Sequence, residues 1–205
     1  MSRDPYAEYL HRFFARWGPV YDLFAAPIAF VYRAAVRWAG AAPGRRLLDL
    51  CTGTGEIARR ASRRGAQVVG VDFTAGMVRQ AARKAPRARF VLADARHLPF
   101  AEAAFDVALL SFALHDMPKA VRQEVLAEAA RTAREGLVVV DYRFGPGWLG
   151  RLFLAAIASF ETAYLRGFAS AGGAEAALHQ AGLAITATRT FGPLPFVVYR
   201  VAGRS

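Results

Sequence analysis

Leu48-Asp49-Leu50-Cys51-Thr52-Gly53-Thr54-Gly55-Glu56-Ile57-Ala58 is the stretch on which the fold of this chain turns. A short apolar run that begins at Arg46 ends in glycines and passes directly into a segment rich in Ala and Arg, which predicts strand, loop and helix in succession. Glycines at such a junction let a ligand approach the backbone where the first N–H groups of a helix point outward. The site expected there is one for a nucleotide-like molecule.

Outward from this unit the pattern recurs. Residues 67–71 predict a second strand and 75–85 a helix, 88–92 a third strand leading to Asp94, and 105–112 a fourth. A helix over 119–134, opened by Pro118, leads to a fifth strand at 137–140, made mostly of β-branched residues. The alternation implies a parallel sheet, with five βα repeats in 46–141. Upstream, residues 6–39 carry aromatic and apolar residues at helical spacing, broken by Gly18-Pro19 and Pro27, which suggests two or three short helices. Downstream come a helix over 148–168 that is apolar nearly all round, a shorter one over 174–181 closed by Gly182, and strands at 183–190 and 196–201 that read as an antiparallel hairpin. The expected fold class is α/β: a Rossmann-like, seven-stranded, mostly parallel sheet with helices on both faces and a C-terminal antiparallel hairpin. One domain over 1–205 is expected, with 1–42 a helical lid, 46–141 the cofactor-binding core, 142–182 a helical substrate cover and 183–205 the terminal hairpin.

Composition narrows the setting. With 205 residues, 55% of them hydrophobic, the chain can bury one substantial core. Cys51 is the sole cysteine, and no Cys/His spacing suits a metal, so a reducing compartment without an internal disulfide or metal is expected. The first residues lack the apolar core and cleavage site of a secretory signal, and the greasiest stretch, 152–160, is far shorter than the roughly 20 residues a bilayer needs. Cytoplasmic placement is the expectation. The net charge of +11 permits attraction to anionic partners, but the arginines are scattered in pairs such as Arg59/Arg60 and Arg63/Arg64, without the basic stripe and interleaved aromatics of a nucleic-acid binder. No nucleic-acid partner is expected.

Gly53-x-Gly55-x-x-Ala58, with Asp72 further on, also fits a dinucleotide fingerprint, so a nicotinamide-dependent oxidoreductase is an alternative. Three features favour S-adenosylmethionine (SAM). Asp49, just before the glycines, would repel a pyrophosphate. Acids recur at strand ends, Asp49, Asp72 and Asp94, which suits a ligand with a cationic amino group, ribose hydroxyls and an adenine amine. Too little chain follows the sheet for a separate substrate domain. A third reading, a non-catalytic module touching RNA through its arginines, stays open at this level.

Leu48 to Ala58, Val69-Gly70-Val71-Asp72, Leu92-Ala93-Asp94-Ala95-Arg96-His97-Leu98-Pro99-Phe100 and Phe105-Asp106 resemble the successive motifs of the class I SAM-dependent methyltransferases. Tyr21-Asp22 and the Asp94-Ala95-x-x-Leu98-Pro99-Phe100 signature are most similar to the branch of ubiquinone/menaquinone C-methyltransferases. The likeness covers roughly residues 17–141. Cys51 stands where many members have the first glycine of the loop, and residues 142–205 do not match the quinone enzymes clearly.

The resemblance implies a residue-by-residue cofactor site. Gly53 and Gly55 give backbone room for the methionine part of SAM, with Asp49 reaching its amino group and Cys51 between them. Asp72 takes the ribose hydroxyls, Asp94 the adenine amine and Ala95 the adenine ring through its N–H. Phe73 or Met77 packs on adenine, Ser111 lies at the end of the fourth strand, and Tyr21 closes the pocket.

Methyl transfer from a sulfonium is an in-line displacement, served chiefly by orientation in a dry pocket. His115, just past the fourth strand, is the best-placed base, and Tyr142 and Arg143, past the fifth, face the expected carboxyl edge. His11, His97 and His179 receive no role. The aromatic N-terminal helices and the 148–168 helix would form a greasy lid, so the expected acceptor is small and lipophilic or aromatic: a quinol, a phenol or a phospholipid headgroup. The basic surface also suits peripheral contact with an anionic membrane. Monomer and homodimer are equally compatible with the sequence.

Overall fold

The computed structural model describes residues 6, 8, 9, 27–144, 152, 155 and 164–203. The quoted stretch begins with β1 (Arg46–Leu50), buried at every position but Arg46. Helices α1 (Ala29–Trp38), α2 (Glu56–Arg63), α3 (Ala75–Lys84), α4 (Lys119–Thr132), α5 (Leu165–Ser170) and α6 (Gly173–Gln180) surround a seven-stranded sheet. Its parallel part comprises β1, β2 (Gln67–Asp72), β3 (Arg89–Leu92), β4 (Val107–Ser111) and β5 (Gly136–Tyr142). The antiparallel part is β6 (Ile185–Phe191) and β7 (Leu194–Ala202), in the overall order β3-β2-β1-β4-β5-β7-β6.

Because successive residues of a strand face opposite sides, and both sides are covered, the central strands are apolar throughout rather than alternating. Leu47, Leu109, Val138 and Val198 pack under α1 and α2. Leu48, Leu50, Leu110, Val139 and Val197 pack beneath α4, α5 and α6, against Leu126, Phe168 and Leu178.

One feature differs from the sequence expectation, and a second adds to it. The connection from β3 to β4, residues 93–106, contains no helix, so one of the five expected βα repeats is a loop. Its backbone is satisfied instead by side chains of α4: Glu128 accepts from the Leu98 N–H at 2.8 Å, and the Arg131 guanidinium donates to the carbonyls of Phe100 and Leu98 at 2.9 and 3.3 Å. The expected C-terminal hairpin is present, with β7 inserted beside β5 and β6 at the edge. The buried run Phe196-Val197-Val198-Tyr199 takes the interior position, and the largely exposed β6 takes the rim.

The amino end of the sheet is held by charges. Arg45 forms a two-pronged pair with Glu135, both contacts 2.6 Å, while Asp106 accepts from the Arg46 N–H at 2.9 Å and from Arg134 at 2.8 Å. The opposite, carboxyl end carries the loops after β1, β2, β3 and β4 around a cleft. Of the helix expected over 148–168 only residues 152, 155 and 164–168 are described, the last four of them within α5, and most of the N-terminal helical segment lies outside the described residues. Among the described residues no helix is long and apolar enough to cross a membrane.

Candidate active site

The loop after β1 is shaped from beneath by Asp49. Its carboxylate is fully buried and accepts from the Thr52 hydroxyl at 2.5 Å and from the Ala58 N–H at 3.1 Å, which ties the loop to the first turn of α2. Burial pushes its pKa up to about 7, against the opposing pull of those two hydrogen bonds. Asp49 does not line the cleft. Cys51 adopts φ +54, the left-handed conformation that costs a side-chain-bearing residue about 1–2 kcal/mol, and this is the physical reason that glycine suits the position. Burial raises the Cys51 thiol well above its usual range, so it is held as a neutral packing group.

Gly53 and Gly55 have different jobs. A Cβ on Gly53 would meet nothing within 4 Å, and the residue lines the cleft, so its missing side chain leaves room for a ligand. Gly55 does not line it. With φ +80 it caps α2, and a Cβ there would come within 2.9 Å of Ala81 Cβ, so glycine is required for α2 to approach α3. Glu56, in the first turn of α2, also reaches the cleft wall. Burial pushes its carboxyl up, but hydrogen bonds from Arg59 and Lys84 and the nearby Arg60 outweigh that and hold it at about 2.

The cleft encloses about 1050 Å³, open mouth included. Asp72, at the end of β2, accepts from the Gly53 N–H at 3.0 Å and the Thr74 N–H at 2.9 Å, locking the first two loops together. Asp94, past β3, is gripped by Arg96 through its backbone N–H at 2.9 Å and through its guanidinium at 2.7 Å. Burial raises the Asp94 carboxyl, but these bonds outweigh it and lower its pKa. Cys51, Phe73, Met77, Ala95 and Ser111 line the same cleft. Tyr21 lies outside the described residues.

Several lining residues had escaped the sequence reading: Tyr6, Tyr32, Thr54, Arg96, Phe112 and Asp116. Phe112 is the one with a distinctive backbone, φ +52 for a bulky aromatic, and its ring meets Tyr32 edge-on at 5.8 Å. No one-dimensional pattern marks such a residue. Asp116 had a signal, since it directly follows His115 in the loop past β4.

The three catalytic candidates do not face the cleft directly. His115 is 1% exposed and sits behind the wall, with Nδ1 2.7 Å from Asp141 Oδ1 and Nε2 3.6 Å from Asp116 Oδ1. Tyr142 packs on the His115 ring at 4.7 Å. Tyr142 and Arg143 line a different pocket with Glu175, Thr188 and Tyr199.

Residues 47–136 match the family model described as a methyltransferase domain. Those residues carry the likeness to the class I SAM-dependent methyltransferases that the motifs implied. A demethylmenaquinone methyltransferase from Beutenbergia cavernae is 40% identical over 116 residues, which cover 56% of this chain and 48% of the relative. This chain thus spans about half the length of that relative. Among solved structures, a Synechocystis magnesium protoporphyrin IX methyltransferase with bound SAH superposes with a TM-score of 0.61 at 20% identity, over 86% of this chain and 83% of that one. A TehB-like SAM-dependent methyltransferase from Corynebacterium glutamicum gives 0.59 at 19%, over 89% and 97%. At these identities the structures speak to the fold alone.

Within the methyltransferase domain the residues present fit SAM. Gly53 leaves the loop open where a Cβ would have projected, and the carboxylates of Asp72 and Asp94, at the ends of successive strands, reach the cleft beside apolar side chains such as Phe73 and Met77. Each carboxylate oxygen has two lone pairs, so Asp72 can hold its loops and still accept from a ligand. The edge order β5-β7-β6, with β7 antiparallel, also departs from the six-strand parallel order of dinucleotide folds.

Proposed function

We propose that this chain transfers the methyl group of SAM to a small lipophilic acceptor of the quinol or phenol class. The observation that carries the reading is the cleft itself, in which the acids Asp72 and Asp94 share one lining with the apolar side chains of Tyr32, Phe112, Met117, Val121 and Val125. In this reading residues 46–141 hold the donor, and the segments 1–42 and 142–182 cover the acceptor. Asp72 binds the ribose hydroxyls, Asp94 the adenine amine, and Gly53 admits the methionine part. Phe73 and Met77 flank the adenine.

When bound, SAM supplies a methyl group on a sulfonium, whose departure leaves a neutral thioether. The chain's own contribution is to orient the acceptor in line with that bond and to exclude water with its apolar wall. The acceptor class is supported by the likeness to an enzyme named for demethylmenaquinone, together with the greasy lining. The net charge of +11 supports peripheral contact with anionic membrane, where such acceptors dissolve.

The test uses methyl-labelled SAM and chemically reduced demethylmenaquinone dispersed in lipid vesicles, followed by extraction of the lipid phase. Label in the extracted quinone is expected. Label-free quinone, with the donor bound but not consumed, would remove the quinol class.

A further inference from the structure

We propose that Asp116, His115 and Asp141 form a proton relay: Asp116, at the cleft wall, takes the proton the methyl acceptor sheds, and His115, held by Asp141, receives it. The inference rests on the methyl-transfer reading above, and it assigns the residue that touches the acceptor, which that reading leaves open.

The geometry gives each member one place. Asp116 lines the cleft beside Ala113 and Met117, whereas the His115 side chain is 2% exposed and does not reach it. Asp116 links the cleft to His115, its Oδ1 lying 3.6 Å from Nε2. On the far side Asp141, fully buried, sits 2.7 Å from Nδ1 and also accepts the Tyr142 N–H at 2.8 Å. An ionised carboxylate only accepts, so the proton of a neutral imidazole belongs on Nδ1, and the Nε2 lone pair faces Asp116. Tyr142 at 4.7 Å and Phe168 at 6.4 Å fix the ring plane.

The charges around the relay favour an imidazolium once a proton arrives. Asp141 Oδ2 is buried with no hydrogen-bond partner, so part of that carboxylate's capacity to stabilise a cation is unspent. From α4, Arg122 lies 4.8 Å over the Phe168 ring and acts on Asp141 as the opposing positive charge. From the N-terminal segment Tyr6, and from the first loop Cys51, face Asp116, and burial raises both so that they stay neutral. In the transfer step the acceptor's electron pair forms the bond to the methyl carbon, the C–S bond breaks with its pair left on sulfur, and the one proton the acceptor sheds passes through Asp116 to Nε2. Asp116 is then the catalytic residue and Asp141 a positioning residue.

The test is the imidazole 15N spectrum of His115 in the full chain with S-adenosylhomocysteine present, from pH 5 to 9, assigned with His115→Gln among the four histidines. The relay predicts a proton on Nδ1 and titration at Nε2. Asp116→Asn should lower the proton affinity of the ring at least about tenfold, and Asp141→Asn should abolish the preference for the Nδ1–H form. In the quinol assay Asp116→Asn should lower kcat with the KM for SAM nearly constant, and in Asp141→Asn the acidic limb of kcat/KM should move with the ring. A His115 spectrum indifferent to Asp116→Asn would overturn the relay and leave a packing histidine. Asp116 lies at the cleft wall, so that variant decides the matter even if Asp141→Asn fails to fold. The spectrum needs no acceptor, which separates failure of the relay from failure of the quinol reading.

Discussion

Asp49 stands near the end of β1, where an acid before glycines reads as a ligand contact; in the structure one of its carboxylate oxygens is taken by Thr52 and Ala58 beneath the loop, and the residue does not line the cleft. Its burial has a pH signature. With the folded pKa raised to about 7 from 3.8, the folded state holds a proton that the unfolded state has released, so stability from this group is complete below about pH 4 and is lost as pH rises to about 7. Glu56 works in the opposite sense and in a separate window, losing its contribution as pH falls from about 4.5 towards 2. Asp49→Asn should flatten the slope of urea-unfolding stability between pH 4 and 7 and leave the acid limb below it intact. An unchanged slope would mean that Asp49 is already ionised in the folded chain. The strand-end acids were thus legible as a set, but which of them turns inward depends on the rotamer each adopts under its loop, and residue order carries no record of that.

At the scale of elements, the strands and helices of 46–141 follow from period and punctuation, because both faces of a parallel sheet must be covered and its strands become uniformly apolar. The loop over 93–106 broke the repeat because α4 supplies Glu128 and Arg131 to its backbone, a debt settled from 30 or more residues away. The edge order was readable in part: Ile185-Thr186-Ala187-Thr188-Arg189-Thr190 is polar at too many positions for an interior strand, and Phe196-Val197-Val198-Tyr199 is apolar throughout. That contrast fixes which strand sits inside and leaves the pairing partner, β5, to the packing. Val198 is fully buried, whereas Thr188 lies on the exposed edge strand. Val198→Ala should therefore cost roughly 2 kcal/mol in urea unfolding, while Thr188→Ala should stay within about 0.5 kcal/mol. Equal losses would argue against β7 as the interior strand.

For the molecule as a whole, function is divided between two ends of one sheet. The amino edge is closed by Arg45, Glu135, Asp106 and Arg134, and the carboxyl edge is opened by Gly53 and walled by the loops that follow β2, β3 and β4. In the proposed reading the donor half of the site follows from motifs, because those residues lie at consecutive strand ends. The half assigned to the acceptor draws, in the same proposal, on Tyr6, Tyr32, Phe112 and Asp116, which line the cleft from distant segments. Asp72 is where the account is most exposed to test, since one carboxylate is asked both to close the first two loops and to hold the ribose of the donor. Calorimetric titration of the chain with S-adenosylhomocysteine, beside Asp72→Ala, measures this directly. Saturable binding to the unaltered chain, weakened about 10- to 100-fold by the substitution, is the predicted result. No saturable binding, or binding that Asp72→Ala leaves untouched, would contradict the placement of SAM in this cleft.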